Sequence, residues 1–171
     1  MGDDLRYADV VEGVRATLAA YVHALDDGRT DDIVATFCPD AVCEIDGQGT
    51  YEGHDALRAA YEGWTPRLPQ RHLVLNTHVT DWDDHEARAL SDVVFLLRVD
   101  GAWTTQLVGR YADTLHRTGD RWEANVALWN KAYALYRLGE LHEVVLDLLE
   151  GRQHGLAVVG RRDIGGGPRL G

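Results

Sequence analysis

The hydrophobic period of this chain changes at Arg71, and that change constrains the fold more than any other feature. Before it, apolar residues mostly recur every three or four positions; from there to Asn130 they alternate with polar ones. Val11, Val14, Leu18, Val22 and Leu25 make one stripe over Asp9–Leu25, the pattern of an amphipathic helix that Gly28 stops. Thr30, Asp31 and Asp32 open a shorter helix carrying Ile33, Val34 and Phe37, and Pro39 is expected to end it. Ala41–Ile45 reads as a short strand, Asp46–Gly49 as a turn. About His54–Trp64 reads as a third helix burying Leu57, Ala60 and Tyr61, before a loop bracketed by Pro66 and Pro69.

Four long stretches follow: Arg71–Trp82, Glu86–Val99, Trp103–Arg117 and Arg121–Asn130. Their separators, AspAspHis, AspGly and ThrGlyAsp, are hairpin-sized, so the strands form an antiparallel meander. In the second stretch Ala87, Ala89, Ser91, Val93, Phe95, Leu97 and Val99 share an apolar face. Helices first and a meander afterwards predict an α+β fold, with helices on one face of a curved sheet.

The remaining chain bounds the size and setting. With 171 residues there is room for one ordinary domain. No apolar run approaches the roughly 20 residues that cross a bilayer, so no membrane partner is expected. The start, MGDDLRYADV, lacks the basic-then-apolar order of a signal peptide, and Cys38 and Cys43 make no disulfide framework. A cytoplasmic setting is the default expectation. A net charge of −11 argues against nucleic acid. Beyond Asn130, Leu135, Leu138, Leu141, Val145, Leu148 and Leu149 predict a C-terminal helix. Its stripe must be buried on the outside of the sheet or on another subunit. Residues 1–130 are thus expected to be the domain, 131–150 an added amphipathic helix, and 151–171 a flexible glycine-rich tail. A sheet covered by helices on one face also points to a homo-oligomer, dimer or trimer.

Helices closing one end of a bent sheet leave a pocket between them. Asp26 extends the series Val14, Leu18, Val22 and so sits at the edge of the apolar stripe, where a carboxylate is costly unless paired. The alternative is a helix-end acid turned to solvent. His72 alternates in phase with Val74, Asn76 and His78, opposite Leu73, Leu75 and Val79. Either face of that strand could line the pocket. An Asp beside a His fixes the imidazole tautomer and strengthens it as a general base for a carbon-bound proton. The other histidines show no HxH or HExxH spacing, so no metal site is expected.

The run Tyr21–Phe37, followed by Pro39–Ala41 and Gly49–Gly53, resembles the opening of SnoaL-like proteins of the NTF2-like superfamily. Scytalone dehydratase, bile-acid 7α-dehydratase and the lindane dehydrochlorinase belong to the same group. Arg71–Asn76 resembles the strand bearing their catalytic histidine, and Gly109–Leu115 with Trp122 resembles their last two strands. The likeness covers about residues 8–130. It implies a cone-shaped fold with an apolar pocket and chemistry that needs no cofactor. Carried over by position, Asp26 and His72 correspond to the dyad of the dehydrating members, and Tyr21 to a tyrosine that assists the departing oxygen.

On an ideal helix Tyr21 and Asp26 lie about 140° apart, so they would flank the pocket rather than touch. A core role for Tyr21 is the equal alternative. Arg110 would bind a carboxylate or enolate, or else form a surface salt bridge. Asn76 would orient substrate or close a strand-edge hydrogen bond, and Trp64 would supply an aromatic wall. The expected function is that of a lyase or isomerase, dehydratase-like, acting on a small, mostly apolar cyclic or polyketide-type substrate. Polyketide cyclisation and a non-catalytic binding or assembly module are the competitors.

Overall fold

A computed structural model describes residues 5–130; the helix expected over 131–150 and the tail 151–171 lie outside the described residues. The N-terminal part folds as α1 (Tyr7–Asp27), α2 (Thr30–Val34), β1 (Phe37–Ile45), β2 (Gly49–Glu52) and α3 (Gly53–Gly63). The meander is β3 (Gln70–Trp82), β4 (Glu86–Val99), β5 (Ala102–Thr118) and β6 (Arg121–Asn130). The fold is α+β, as the change of period predicts.

Val10, Val14, Leu18 and Val22 are the buried stripe of α1. Gly28 ends the helix at φ 68°, in the left-handed region, while the Arg29 N–H reaches back to the Ala24 carbonyl at 2.9 Å. Gly13 has a different reason to be glycine. A Cβ there would overlap the Trp122 indole, so its absence lets α1 lie directly on β6.

The strands of the described residues form one curved, unclosed sheet in the order β2-β1-β6-β5-β4-β3. The pairings are antiparallel except that of β1 with β6, which is parallel. The meander is antiparallel as expected, and the parallel pair involves β1, which lies outside it. Pro39 is a correction. The helix ends at Val34, and Pro39 lies inside β1, exposed, where pairing to β6 is interrupted between Phe37 and Val42. A residue without an N–H is tolerated there because no ladder bond is required of it.

Bulges in β3, in β4 against β5, and in β5 against β6 bend the sheet. Its concave face carries Ala87, Ala89, Ser91 and Val93 of β4 and Tyr111, Asp113 and Leu115 of β5, all buried. α1 lies against β3 and β6, and α3 against β1. Ile33, Leu57 and Leu115 are among the largest fully buried side chains, each stabilising by about 1.5–3 kcal/mol through lost apolar exposure. Leu73, Leu75 and Leu90 are exposed on the opposite, convex face.

Candidate active site

The end of α1 meets the start of β3, and there the chain places the most deeply buried ion pair among the described residues. Asp26 and His72 are 4% and 13% exposed. The Asp26 Oδ1 accepts from His72 Nδ1 at 2.7 Å, and Oδ2 accepts from the His72 backbone N–H at 3.0 Å. β3 is the edge of the sheet, so that N–H is available to a side chain rather than to another strand. Two bonds to one residue hold both groups in register. A carboxylate partner requires the proton on Nδ1, which leaves Nε2 with its lone pair. The ring is further fixed by stacking on Phe95, centroids 4.4 Å apart and planes 13° from parallel. Gln70 ties the same two elements together, donating to the Leu25 carbonyl at 3.1 Å.

His72 and Phe95 border a cavity of about 250 Å³. Leu25, Ile45, Trp64, Val93 and Leu107 share its wall with Tyr61, Tyr111, Gln48 and Gln70, so a histidine faces a mainly apolar space. On its other side His72 also borders an open groove between α1 and β3, and Asp26 belongs to that groove rather than to the cavity. The dyad therefore stands as a partition, its histidine reaching both spaces.

Trp64 lines the cavity and meets Tyr51 and Tyr61 edge-on, at 5.3 and 5.4 Å between centroids. Tyr21 does not line it. Its ring is buried edge-on to Phe37, Tyr61 and Tyr111, and its hydroxyl lies 3.1 Å from that of Tyr61. Burial, followed by the neighbouring phenols, pushes the Tyr21 hydroxyl well above its ordinary value, and burial does the same to Tyr61. Both stay protonated. Tyr61, seen in the sequence only as the buried side of α3, is the member of the pair that meets the cavity. Cys43, buried nearby, is pushed up to about 12, first by burial and then by Asp113.

Asn76 and Arg110 are brought together, but on the convex face. Arg110 donates to Asp92 Oδ1 from Nε at 3.0 Å and NH2 at 2.8 Å, and Asn76 donates to Oδ2 at 3.0 Å. These bonds, Asn76 first, hold the Asp92 carboxyl below its ordinary value. Arg110 borders the cavity as a residue of β5, yet its guanidinium is engaged by Asp92. The expected common phase of His72 and Asn76 is lost because β3 bulges between Leu75 and His78, with Asn76 at φ 54°. Beyond the bulge it is Val79 that turns inward. Among the described residues no group of three or more His, Cys, Asp or Glu side chains is placed to hold a metal, and no helix is long and apolar enough to cross a membrane.

The same architecture recurs among solved structures. Aln2 from a Streptomyces species superimposes with a TM-score of 0.69 at 19% identity, over 78% of this chain and 99% of that one. A protein from Catenulispora acidiphila solved in complex with S-DNPA gives 0.66 at 22%, over 74% and 96%. An NTF2-like protein with a cystatin-like fold from Novosphingobium aromaticivorans gives 0.64 at 24%, over 69% and 79%. At these identities the likeness is one of fold. No curated protein matches the sequence. The model of the SnoaL-like domain matches residues 6–126, most of the described fold, and the chain belongs to that SnoaL-like family.

Proposed function

We propose that this protein is a lyase or isomerase that works by acid–base chemistry alone, with dehydration of a small cyclic hydroxy-ketone as its leading reaction. The observation that supports this reading is the buried Asp26 carboxylate 2.7 Å from Nδ1 of a histidine that faces an apolar cavity. In it, Nε2 of His72 removes the proton next to the substrate carbonyl, and Asp26 stabilises the imidazolium that forms. The C–H electron pair becomes the new double bond as the hydroxyl departs as water. Tyr61, with Tyr21 behind it, supplies the proton to the departing or enolising oxygen. Trp64 and Phe95 offer flat surfaces to a ring. A space of about 250 Å³ lies at the small end of ligand pockets, which favours a compact substrate. The structure solved with S-DNPA supports a small organic ligand for this fold. Cyclisation of a polyketide-type substrate would use the same base and the same oxygen donors.

The test is a panel of cyclic β-hydroxy ketones followed by the ultraviolet absorbance of the conjugated enone. The wild type eliminates water from at least one member, and His72→Ala and Asp26→Asn do not. Equal turnover by His72→Ala would remove the dyad from the mechanism.

A further inference from the structure

Beside the dyad, the cavity wall holds another polar group whose direction is fixed, the side-chain amide of Gln70. Gln70 and His72 are two residues apart on β3, paired with Leu97 and Phe95 of β4, so both side chains point to the same face, about 7 Å apart. The glutamine is 8% exposed and lines the cavity. Its Nε2 donates to the Leu25 carbonyl at 3.1 Å. A carbonyl only accepts, so the amide has one orientation, with its nitrogen on α1 and its oxygen turned away. Nothing among the described residues donates to Oε1. Yet of the fully buried side-chain oxygens and nitrogens described, Asp113 Oδ2 alone lacks a partner, so Oε1 is not closed off. In a side chain this buried, the space it meets is the cavity that it lines.

The other polar groups of the wall are committed elsewhere. The Tyr61 hydroxyl meets that of Tyr21. The Arg110 guanidinium has only donors and is engaged by Asp92. Burial, followed by Asp113, raises the Tyr111 hydroxyl far above its ordinary value, so it keeps its proton. Gln48 stands on the exposed turn between β1 and β2, and no hydrogen bond among the described residues fixes its side-chain amide. Gln70 Oε1 is thus the acceptor that the fold aims.

Water in the open cavity would satisfy Oε1. A ring that fills the cavity expels that water, and a buried acceptor left without a donor is costly. A ligand with a hydroxyl or N–H at that point restores the bond; one with an ether or a methyl group there does not. We propose that Gln70 is a specificity-determining residue that selects cyclic ketones carrying a second, retained hydroxyl or N–H beside the carbon attacked by His72. This rests on the reading of the cavity as the substrate site of a lyase or isomerase. Gln70 moves no proton, since its amide does not titrate; it accepts one hydrogen bond and sets which ring fits.

The test is binding, measured apart from turnover. The probes are matched pairs of cyclic ketones without a leaving group. One pair is a cyclohexanone with a hydroxyl opposite the ketone and its methyl ether; the other is a hydroxy-indanone and its methyl ether. Each is titrated into the full chain and followed by NMR. The hydroxyl member should bind about tenfold more tightly than its ether, and Gln70→Leu should erase that preference. The Gln70 side-chain amide signals, identified by their loss in Gln70→Leu, should shift with the hydroxyl member and stay in place with the ether. Equal binding of every pair by the wild type, or no binding at all, overturns the proposal even where Gln70→Leu fails to fold. A preference that survives in Gln70→Leu overturns it as well. His72→Ala separates this idea from the reaction, because it should lose turnover and keep the hydroxyl preference. Retained turnover in that variant removes the dyad and leaves the selection by Gln70 standing; equal binding of the pairs with His72→Ala inactive removes Gln70 alone.

Discussion

Asp26 and Asp92 each accept hydrogen bonds from two donor groups, and they stand on opposite faces of the same sheet. Asp26, on the concave side, is 4% exposed and holds His72 twice. Asp92, on the convex side, is 33% exposed and holds Arg110 and Asn76. The hydrogen bonding is alike; the surroundings differ. In water, the Asp92 pair is screened and close to neutral for stability. Beside an apolar cavity, the same kind of bond would, in the proposed reading, orient a base. A cluster of polar side chains thus becomes a candidate for chemistry through what surrounds it.

The comparison is sharpened most by activity. His72→Ala should lower turnover of any identified substrate by about 10²–10⁴-fold, the usual weight of a general base, with far-ultraviolet circular dichroism unchanged. A loss confined to stability would place the dyad with Asp92 as a structural feature.

Asp113 gives a third carboxylate to set beside the other two, buried like Asp26 but with Oδ2 unpartnered among the described residues. Its value of about 7 in the folded chain lies above the ordinary 3.8. Between those pH values the native state keeps a proton that the unfolded chain has released. Stability contributed by this group is therefore full at the acid end and falls as pH rises, by up to about 1.4 kcal/mol per pH unit. The fall should level off above about pH 7. Urea unfolding at pH 5, 6, 7 and 8 measures this, and Asp113→Asn should remove most of the slope.

A smaller effect is expected where α1 rests on β6. Gly13→Ala places a methyl into Trp122, and overpacking of this kind costs about 1–3 kcal/mol, read as a lower urea midpoint. Smallest of all, Arg110→Met should change stability by less than about 1 kcal/mol and leave turnover intact, since the ion pair it breaks is exposed. A large activity loss in that variant would erase the contrast between the two faces.

Much of this was legible in the sequence because it rests on period. The stripe of α1 put Asp26 at its edge and alternation in β3 put His72 on one face, while the resemblance to SnoaL-like proteins singled the two out as a pair. Asn76 could not be placed the same way. One bulge at a positive φ reverses the phase of β3; Asn76 tolerates that conformation, but an asparagine alone does not fix where a bulge falls. The parallel pairing of β1 with β6 was equally hidden, since it joins segments about 80 residues apart and depends on the whole sheet. The reason for Gly13, the indole of Trp122, lies across the fold and leaves no local mark in the sequence. Tyr61 and Phe95 were placed on buried faces, as core. Periodicity reports burial, and it does not distinguish a side chain that fills the core from one that lines a cavity.

The central claim, that His72 held by Asp26 is a base aimed into the cavity, can be tested before the natural substrate is known. Cyclic ketones incubated with the protein in D₂O should gain deuterium next to the carbonyl, followed by proton NMR. Faster exchange with the wild type than with His72→Ala or Asp26→Asn is the result predicted. Exchange by His72→Ala at the wild-type rate would contradict it.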